Sequence, residues 1–127
     1  MRILGFSRKD WKNYLTGRPK LEQNTFTTFR FARKDKDWEV GEAVQVVYKP
    51  RRKGGGERLG VAEITSKESR QMVTPPLESD TLYWEAKADG FANYNQMWEW
   101  LYSVYRNRIF NEPMNRLTLR WVKRSNQ

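Results

Sequence analysis

The sequence contains neither cysteine nor histidine among its 127 residues. Without cysteine the chain has no disulfide framework and no thiolate metal site. Without histidine it also lacks the usual catalytic zinc ligand and the commonest general base. Any catalysis must therefore depend on Lys, Thr, Tyr, Asp or Glu, and we predict neither a bound metal nor a cofactor.

Long apolar runs are also missing from the sequence. No stretch approaches the roughly 20 apolar residues that a membrane-spanning helix needs. The first six residues are too short and too lightly apolar for a signal peptide. We therefore expect a cytoplasmic protein that has no membrane partner.

Acidic residues are few compared with basic ones: 15 Asp and Glu stand against 24 Lys and Arg, which gives a net charge of +9. The excess lies in one half, because residues 1–60 hold fifteen basic and seven acidic side chains, whereas residues 61–127 hold nine and eight. This distribution predicts one positively charged face that attracts a polyanion, most commonly nucleic acid. The alternative, that the charge only maintains solubility, stays open.

The pattern of apolar residues predicts one α+β domain over residues 1–127. Alternation and β-forming residues predict strands over 2–6, 25–31, 43–48, 59–65 and 117–122. Helical spacing and capping residues predict helices over 8–16, 82–88 and 94–107, the first of them beginning after Ser7 and ending at Gly17. Several short strands with few helices favour a small β-barrel with two to three flanking helices.

Five segments occur in an order that resembles the ASCH family. They are Gly17-Arg18-Pro19-Lys20 with Thr27-Thr28-Phe29-Arg30, then Trp38–Glu42, Gly60–Ile64, Ala88-Asp89-Gly90-Phe91, and the aromatic helix from Tyr94 with the closing strand at Leu117. The resemblance implies a PUA-like barrel, with a cleft between barrel and helices, and an association with RNA. Some small members of that family remove acyl groups from N4 of cytidine through a Lys, a Thr and an acidic residue, and others are ribonucleases. Carried over by position, the catalytic set is Lys20, Thr28 and Asp89.

The first of these segments departs from the family in its spacing. The family fits its Gly, Lys and Arg into eight residues, whereas Gly17 to Arg30 span fourteen, so six residues are inserted. If the insertion follows the lysine, Lys20 is the family lysine. If it precedes the lysine, Thr25 occupies that position and the amine is lost. The sequence leaves both alternatives open.

The same residues have a chemical rationale of their own. A Thr28 hydroxyl becomes a nucleophile only when a base takes its proton, and a desolvated Lys20 with a depressed pKa is a credible base where histidine is absent. Asp89 is able to orient that amine or protonate a leaving group, and Arg30 to hold an oxyanion, a phosphate or a base edge. Ordinary roles remain the alternative for each residue: a strand threonine, a turn aspartate, a solvated lysine and a salt-bridged arginine.

Further basic and aromatic residues are candidates for contact with nucleic acid. The tip Arg51-Arg52-Lys53, followed by three glycines, resembles a finger that grips phosphate. Trp38 and Trp84 are predicted to lie in connections and to stack on bases, and Arg18 and Arg30 complete the predicted set. Four aromatic residues of the helix over 94–107 cannot all face inward, so some of them are further stacking candidates: Trp98, Trp100, Tyr102 and Tyr105.

The sequence therefore favours an RNA- or nucleotide-binding domain with a basic cleft. Deacylation of N4-acetylcytidine-type nucleosides is the alternative function, and ribonuclease activity is a further one. The predicted partner is RNA or a nucleoside.

Overall fold

The computed structural model describes residues 1–125, which form seven strands and three α-helices. The strands are β1 (Arg2–Phe6), β2 (Lys12–Asn13), β3 (Arg18–Pro19), β4 (Thr25–Arg30), β5 (Ala43–Tyr48), β6 (Glu57–Arg70) and β7 (Met114–Arg124). The helices are α1 (Asp80–Asp89), α2 (Tyr94–Tyr105) and α3 (Arg108–Asn111), and a 3-10 turn covers Lys20–Glu22. None of the helices within residues 1–125 has the length and apolar character needed to cross a membrane.

Five strands form one curled sheet in the order β1-β5-β6-β7-β4. β1 pairs with β5 in parallel, and the other neighbouring strands are antiparallel. The two edge strands approach each other through side chains: the rings of Phe6 and Phe26 lie 6.0 Å apart, and Arg30 Nη2 donates to the Gly5 carbonyl at 2.6 Å. The predicted α+β class is confirmed, and in the described residues the sheet is an open half-barrel rather than a closed barrel.

Two hydrophobic cores lie on the two sides of β4. Because side chains alternate along a strand, Phe26 enters the core enclosed by the curled sheet, whereas Phe29 enters the core between the sheet and the helices. The first core contains Leu4, Phe6, Val44, Val46, Ile64, Leu117 and Leu119. The second contains Met72, Leu82, Ala86, Met97, Leu101, Ile109 and Met114. Thr28 and Arg30 lie on the same face of β4 as Phe26, because they are two and four residues further along the strand. At the end of β4 this face borders the gap between the sheet edges.

The predicted helix over 8–16 is wrong, because this segment forms the small β2–β3 hairpin. The Asn13 side chain accepts hydrogen bonds from the backbone N–H of Leu15 and Thr16, at 2.8 and 3.3 Å. Gly17 has a φ of +77° and donates its N–H to the Asn13 carbonyl at 2.7 Å. Asparagine competes with helix formation through such local bonds, and here they close a tight turn.

The two later helices agree with the predictions. Ser79 caps α1 by accepting from Leu82 N at 3.2 Å, and Asn93 caps α2 by accepting from Gln96 N at 2.9 Å. The strand predicted over 59–65 is longer, since β6 continues to Arg70 and pairs with β7 along that extension. α3 was not predicted, because a four-residue helix has no measurable periodicity.

Candidate functional site

Lys20 is a buried lysine with only 1% of its surface exposed. Its ammonium Nζ lies 2.9 Å from the Thr27 carbonyl oxygen and 3.3 Å from Asp89 Oδ1. It also lies 5.4 Å from the ring centre of Phe6 and 5.0 Å from that of Trp11. The residue enters the interior because the β2–β3 hairpin leads directly into the 3-10 turn, where Lys20 N donates to the Trp11 carbonyl at 2.7 Å. Of the two sequence alternatives, Lys20 is in the site, and Thr25 is exposed at the start of β4.

Asp89 is the last residue of α1 and is 4% exposed. Its Oδ1 accepts hydrogen bonds from Lys20 Nζ and from Thr27 Oγ1, each at 3.3 Å. Gly90 ends the helix with a φ of +122°, and a Cβ at this position would lie 3.1 Å from the Trp11 Cβ. The Asp-Gly step therefore ends α1 and also leaves room for Trp11 to pack against the helix end.

Burial perturbs both members of the Lys20–Asp89 pair. Desolvation lowers the pKa of the Lys20 amine, and the attraction of Asp89 opposes this effect. Desolvation likewise raises the pKa of the Asp89 carboxyl, against the attraction of Lys20. Both shifts favour the uncharged forms, so the proton of the pair is less firmly held on the amine than in water. A buried amine in this state is able to accept a proton from a neighbouring group.

Thr28 and Arg30 form the second polar pair of the site. Thr28 is 4% exposed, and its Oγ1 accepts from Arg30 Nε at 3.1 Å. Arg30 also bonds the Gly5 carbonyl, and its guanidinium lies 4.9 Å from the centre of the Phe6 ring. These contacts fix the guanidinium across the gap between β4 and β1. Because Thr28 Oγ1 accepts from Arg30, its own proton is available to another acceptor.

A cavity of about 310 Å³ opens onto this cluster. Its lining includes the polar residues Thr28, Arg30 and Asp89, and the aromatic residues Phe6, Trp11, Phe91, Trp100 and Tyr105. Its volume falls at the lower end of the range of small-molecule sites. Lys20, predicted to line the cleft, lies behind this lining and contacts Asp89, Phe6 and Trp11.

The aromatic wall was only partly visible in the sequence. Trp100 and Tyr105 belong to the four helix aromatics that were stacking candidates, and both line the cavity. Trp11 was assigned to a helix that does not exist. In the hairpin its ring lies 5.3 Å from the rings of both Phe91 and Trp100, in edge-to-face arrangements. No local pattern around residue 11 reveals these contacts, because both partners are distant in sequence.

The other predicted nucleic-acid contacts lie outside this cavity. Arg51, Arg52 and Lys53 are exposed in the turn between β5 and β6, and Arg18 is exposed on β3. Trp84 lies within α1 rather than in a connection, and 54% of its surface is exposed. Trp38 is 3% exposed in the core, and its Nε1 donates to the Phe31 carbonyl at 3.2 Å. Its prediction as a stacking surface is therefore wrong, since burial leaves its ring no open face.

The structure thus brings Lys20, Thr28, Arg30 and Asp89 together, although Lys20 and Asp89 are 69 positions apart. Residues 1–125 contain no cluster of three or more acidic side chains placed to hold a metal ion. Comparison with protein families, with curated proteins and with solved structures gives no match to this chain.

Proposed function

We propose that the chain is an ASCH-like domain of PUA-like architecture that binds a base of RNA, or a free nucleotide, in the 310 Å³ cavity. The observation that carries the proposal is the meeting of Thr28, Arg30 and Asp89 in a cavity with aromatic walls. A nucleobase has a flat apolar face and a polar edge. Aromatic rings stack on the face with about 1–3 kcal/mol per base. A carboxylate accepts from an exocyclic amine, and a guanidinium donates to a base oxygen or a phosphate.

The family part of the proposal is supported by where the resembling segments lie. The segments around Lys20 and Asp89 are 69 positions apart, and both contact Thr27, next to Thr28 on β4. Asp89 lines the cavity together with Thr28 and Arg30. These residues meet at the gap between the sheet edges, beside the end of α1, where the resemblance implies a cleft between barrel and helices. An accidental similarity of order gives no reason for these side chains to converge.

Deacylation of an N4-acylated cytidine is a second candidate function, and the buried Lys20 favours it. Burial lowers the pKa of the Lys20 amine, which is the requirement for a base in a chain without histidine. In this reaction the Thr28 hydroxyl attacks the acyl carbonyl and loses its proton to the base. That proton then goes to the departing N4 amine, and water hydrolyses the acyl-threonine ester. Asp89 contacts both Lys20 and the cavity, so it lies where a proton would pass. Ribonuclease activity stays a prediction from the resemblance.

Tryptophan fluorescence provides the test, because Trp11 and Trp100 line the cavity. The parent protein is titrated with cytidine monophosphate and with N4-acetylcytidine, and turnover of the latter is followed by chromatography. Thr28→Val and Asp89→Asn should weaken nucleotide binding by roughly 10- to 100-fold, since each removes a bond worth about 1.5–3 kcal/mol where charge is involved. If the protein is a deacylase, the same variants should slow turnover by about a hundredfold or more.

Matched controls come from Thr118→Val, in the middle of β7, and Asp80→Asn, at the opposite end of α1. Both should bind like the parent. Absence of nucleotide binding in the parent, or parent-like binding by both site variants, would refute the cavity as a base site. Binding without turnover would support the first function and refute the second.

A further inference from the structure

We propose that a single strand of RNA crosses the molecule along β1, with its phosphates held on both sides of the base cavity. On one side lies a basic groove formed by Arg33, Lys34 and Arg108, and on the other the tip Arg51-Arg52-Lys53. The inference rests on the proposed function, because the cavity supplies the base site between the two. It makes the ligand an RNA chain of several nucleotides rather than a free nucleoside.

The basic groove adjoins the base cavity. It is an open groove of about 610 Å³, and it shares Arg30 and Tyr105 with the lining of the base cavity. Its charged lining consists of four basic side chains, Arg30, Arg33, Lys34 and Arg108, and one acidic side chain, Asp35. A concave surface with this excess of positive charge attracts phosphate groups.

Two of the basic side chains in the groove are held in place by aromatic rings and by neighbouring carboxylates: Arg33 Nε lies 3.3 Å from Asp35 Oδ1, and Arg108 Nε lies 3.0 Å from Glu112 Oε2. The Arg108 guanidinium lies 4.2 Å from the centre of the Phe31 ring, and that of Arg33 lies 5.5 Å from the Trp38 ring. Trp38 therefore contributes to the groove as a buried support and not as a stacking surface for bases. A guanidinium that is already oriented loses less conformational entropy when it binds a phosphate.

Strand β1 sets the order of the three parts. Ile3 lines the basic groove, and Gly5, Phe6 and Ser7 line the base cavity. β5 runs parallel to β1 with Tyr48 beside Phe6, and it continues directly into the tip. Lys49 N donates to the Phe6 carbonyl at 2.8 Å, which keeps the start of the tip beside the cavity. Groove, cavity and tip therefore follow one another along one edge of the sheet.

This order determines the kind of ligand. From Ile3 to Ser7 the strand covers about 13 Å at about 3.3 Å per residue, and the tip lies beyond that distance. A mononucleotide in the cavity does not reach from the groove to the tip, whereas an RNA chain does. The strand must be single, because a base enters the cavity only when it is unpaired and unstacked.

We call the path over the groove, the cavity and the tip the RNA track. Fluorescence anisotropy with a labelled 12-nucleotide RNA tests this track, using three variants that each remove two positive charges. Arg33→Ser/Lys34→Ser alters the groove, and Arg51→Ser/Arg52→Ser alters the tip. Arg120→Ser/Lys123→Ser, two exposed positions on β7, is the matched control. Each track variant should lower the slope of log affinity against log salt by about 1.4, since each neutralised phosphate contributes about 0.7 on a single strand. The control should keep the parent slope. All three should keep the parent affinity for cytidine monophosphate and the parent midpoint of urea unfolding.

The outcomes separate the track from the base cavity. If the groove and tip variants lose no more slope than the control, the track is refuted, and the base cavity still stands on its own titration. If Thr28→Val and Asp89→Asn bind both the mononucleotide and the 12-nucleotide RNA like the parent, the proposed function fails instead. A tip or groove variant that also loses mononucleotide binding would overturn the division of the surface into a base site and phosphate sites.

Discussion

At the scale of single residues, the pair of Lys20 and Asp89 is costly to the fold. Both side chains are almost fully buried, and their ion pair is 3.3 Å long. The free energy needed to take two charged groups out of water is larger than the attraction between them readily offsets. Apolar residues of similar volume would fill the same space with less desolvation. Perturbed titratable groups in a cavity are typical of functional sites. Asp89 of this pair lines the cavity, and Lys20 lies directly behind it.

Removing either partner should give stability profiles of opposite slope against pH. In Asp89→Asn the remaining Lys20 is neutral in the folded state and protonated in the unfolded state, at pH values between its lowered pKa and the ordinary value of 10.5. The free energy of unfolding then rises with pH by up to about 1.4 kcal/mol per unit. In Lys20→Met the remaining Asp89 is protonated only in the folded state, between the ordinary value of 3.8 and its raised pKa. The free energy of unfolding therefore falls as pH rises through that window.

Urea unfolding of both variants and of the parent, from pH 4 to 10, measures these slopes. The parent serves as the control. In the folded parent the pair carries one proton, whether that proton is on Lys20 or on Asp89. The unfolded Lys20 and Asp89 together also carry one proton at neutral pH, so these two residues do not make the free energy of unfolding depend on pH there. Flat profiles for both variants would mean that the lone groups stay charged and hydrated, contrary to their burial in the structure.

At the scale of elements, the sequence predicts those segments whose secondary structure is determined by residues within the segment. β4, β5, α1 and α2 follow their patterns because the two strands are rich in β-forming residues and each of the two helices begins at a side-chain cap. The β2–β3 hairpin does not, since Trp11, Tyr14 and Leu15 imitate a helical stripe while Asn13 and Gly17 close a turn. Tertiary contacts of Trp11 with Phe91 and Trp100 decide this segment, and they come from distant elements.

The site shows the same limit of prediction. Lys20, Thr28 and Asp89 were named from the order of family-like segments, and no spacing rule connects residues that are 69 positions apart. The shared orientation of Thr28 and Arg30 followed from the two-residue period of a strand. The burial of Lys20 behind Trp11 depends on the β2–β3 hairpin, which the sequence pattern did not predict.

The turn between β5 and β6 provides a prediction at this scale. A Cβ on Gly56 would lie 2.4 Å from the Lys49 carbonyl oxygen and 2.5 Å from that of Tyr48, whereas a Cβ on Gly55 would meet nothing within 4 Å. Both glycines have positive φ, at +80° and +83°. Gly55→Ala should therefore cost only the backbone strain, about 1–2 kcal/mol. Gly56→Ala should cost clearly more, because backbone atoms must also move.

Urea unfolding compares the two alanine variants, and Gly55→Ala is the internal control for the strain of an L-residue at positive φ. Equal losses of stability would contradict the close packing of Gly56 against the end of β5. RNA binding by Gly55→Ala should stay close to that of the parent, since the basic side chains of the tip are unchanged.

At the scale of the whole molecule, only part of the positive charge is available to a ligand. Arg70 and Arg116 of the sheet pair with Glu68 of β6 and with Glu85 of α1, and hydrogen bonding to Glu85 raises the pKa of Arg70. Arg2 is similarly held by Glu42. The basic side chains of the groove and of the tip 51–53 belong, apart from Arg108, to residues 1–60, where the sequence has its excess of positive charge. Part of the basic excess of residues 1–60 therefore lies along the β1 edge of the folded sheet.

A comparison of single-stranded and duplex RNA of the same sequence tests whether this edge recognises a base or only phosphates. Affinity for both should fall with salt, with log–log slopes of about 0.7 per neutralised phosphate for the single strand and about 0.9 by analogy with duplex DNA. A purely electrostatic surface should prefer the duplex, which has the higher charge density. A base cavity should prefer the single strand, because extracting a base from a duplex costs a few kcal/mol and stacking in the cavity returns about 1–3 kcal/mol. The preference for the single strand should grow as salt rises and should be reduced in Asp89→Asn, whose cavity has lost a carboxylate. Tighter binding of the duplex at every salt concentration would mean that phosphate attraction alone accounts for the interaction and that the cavity holds no base.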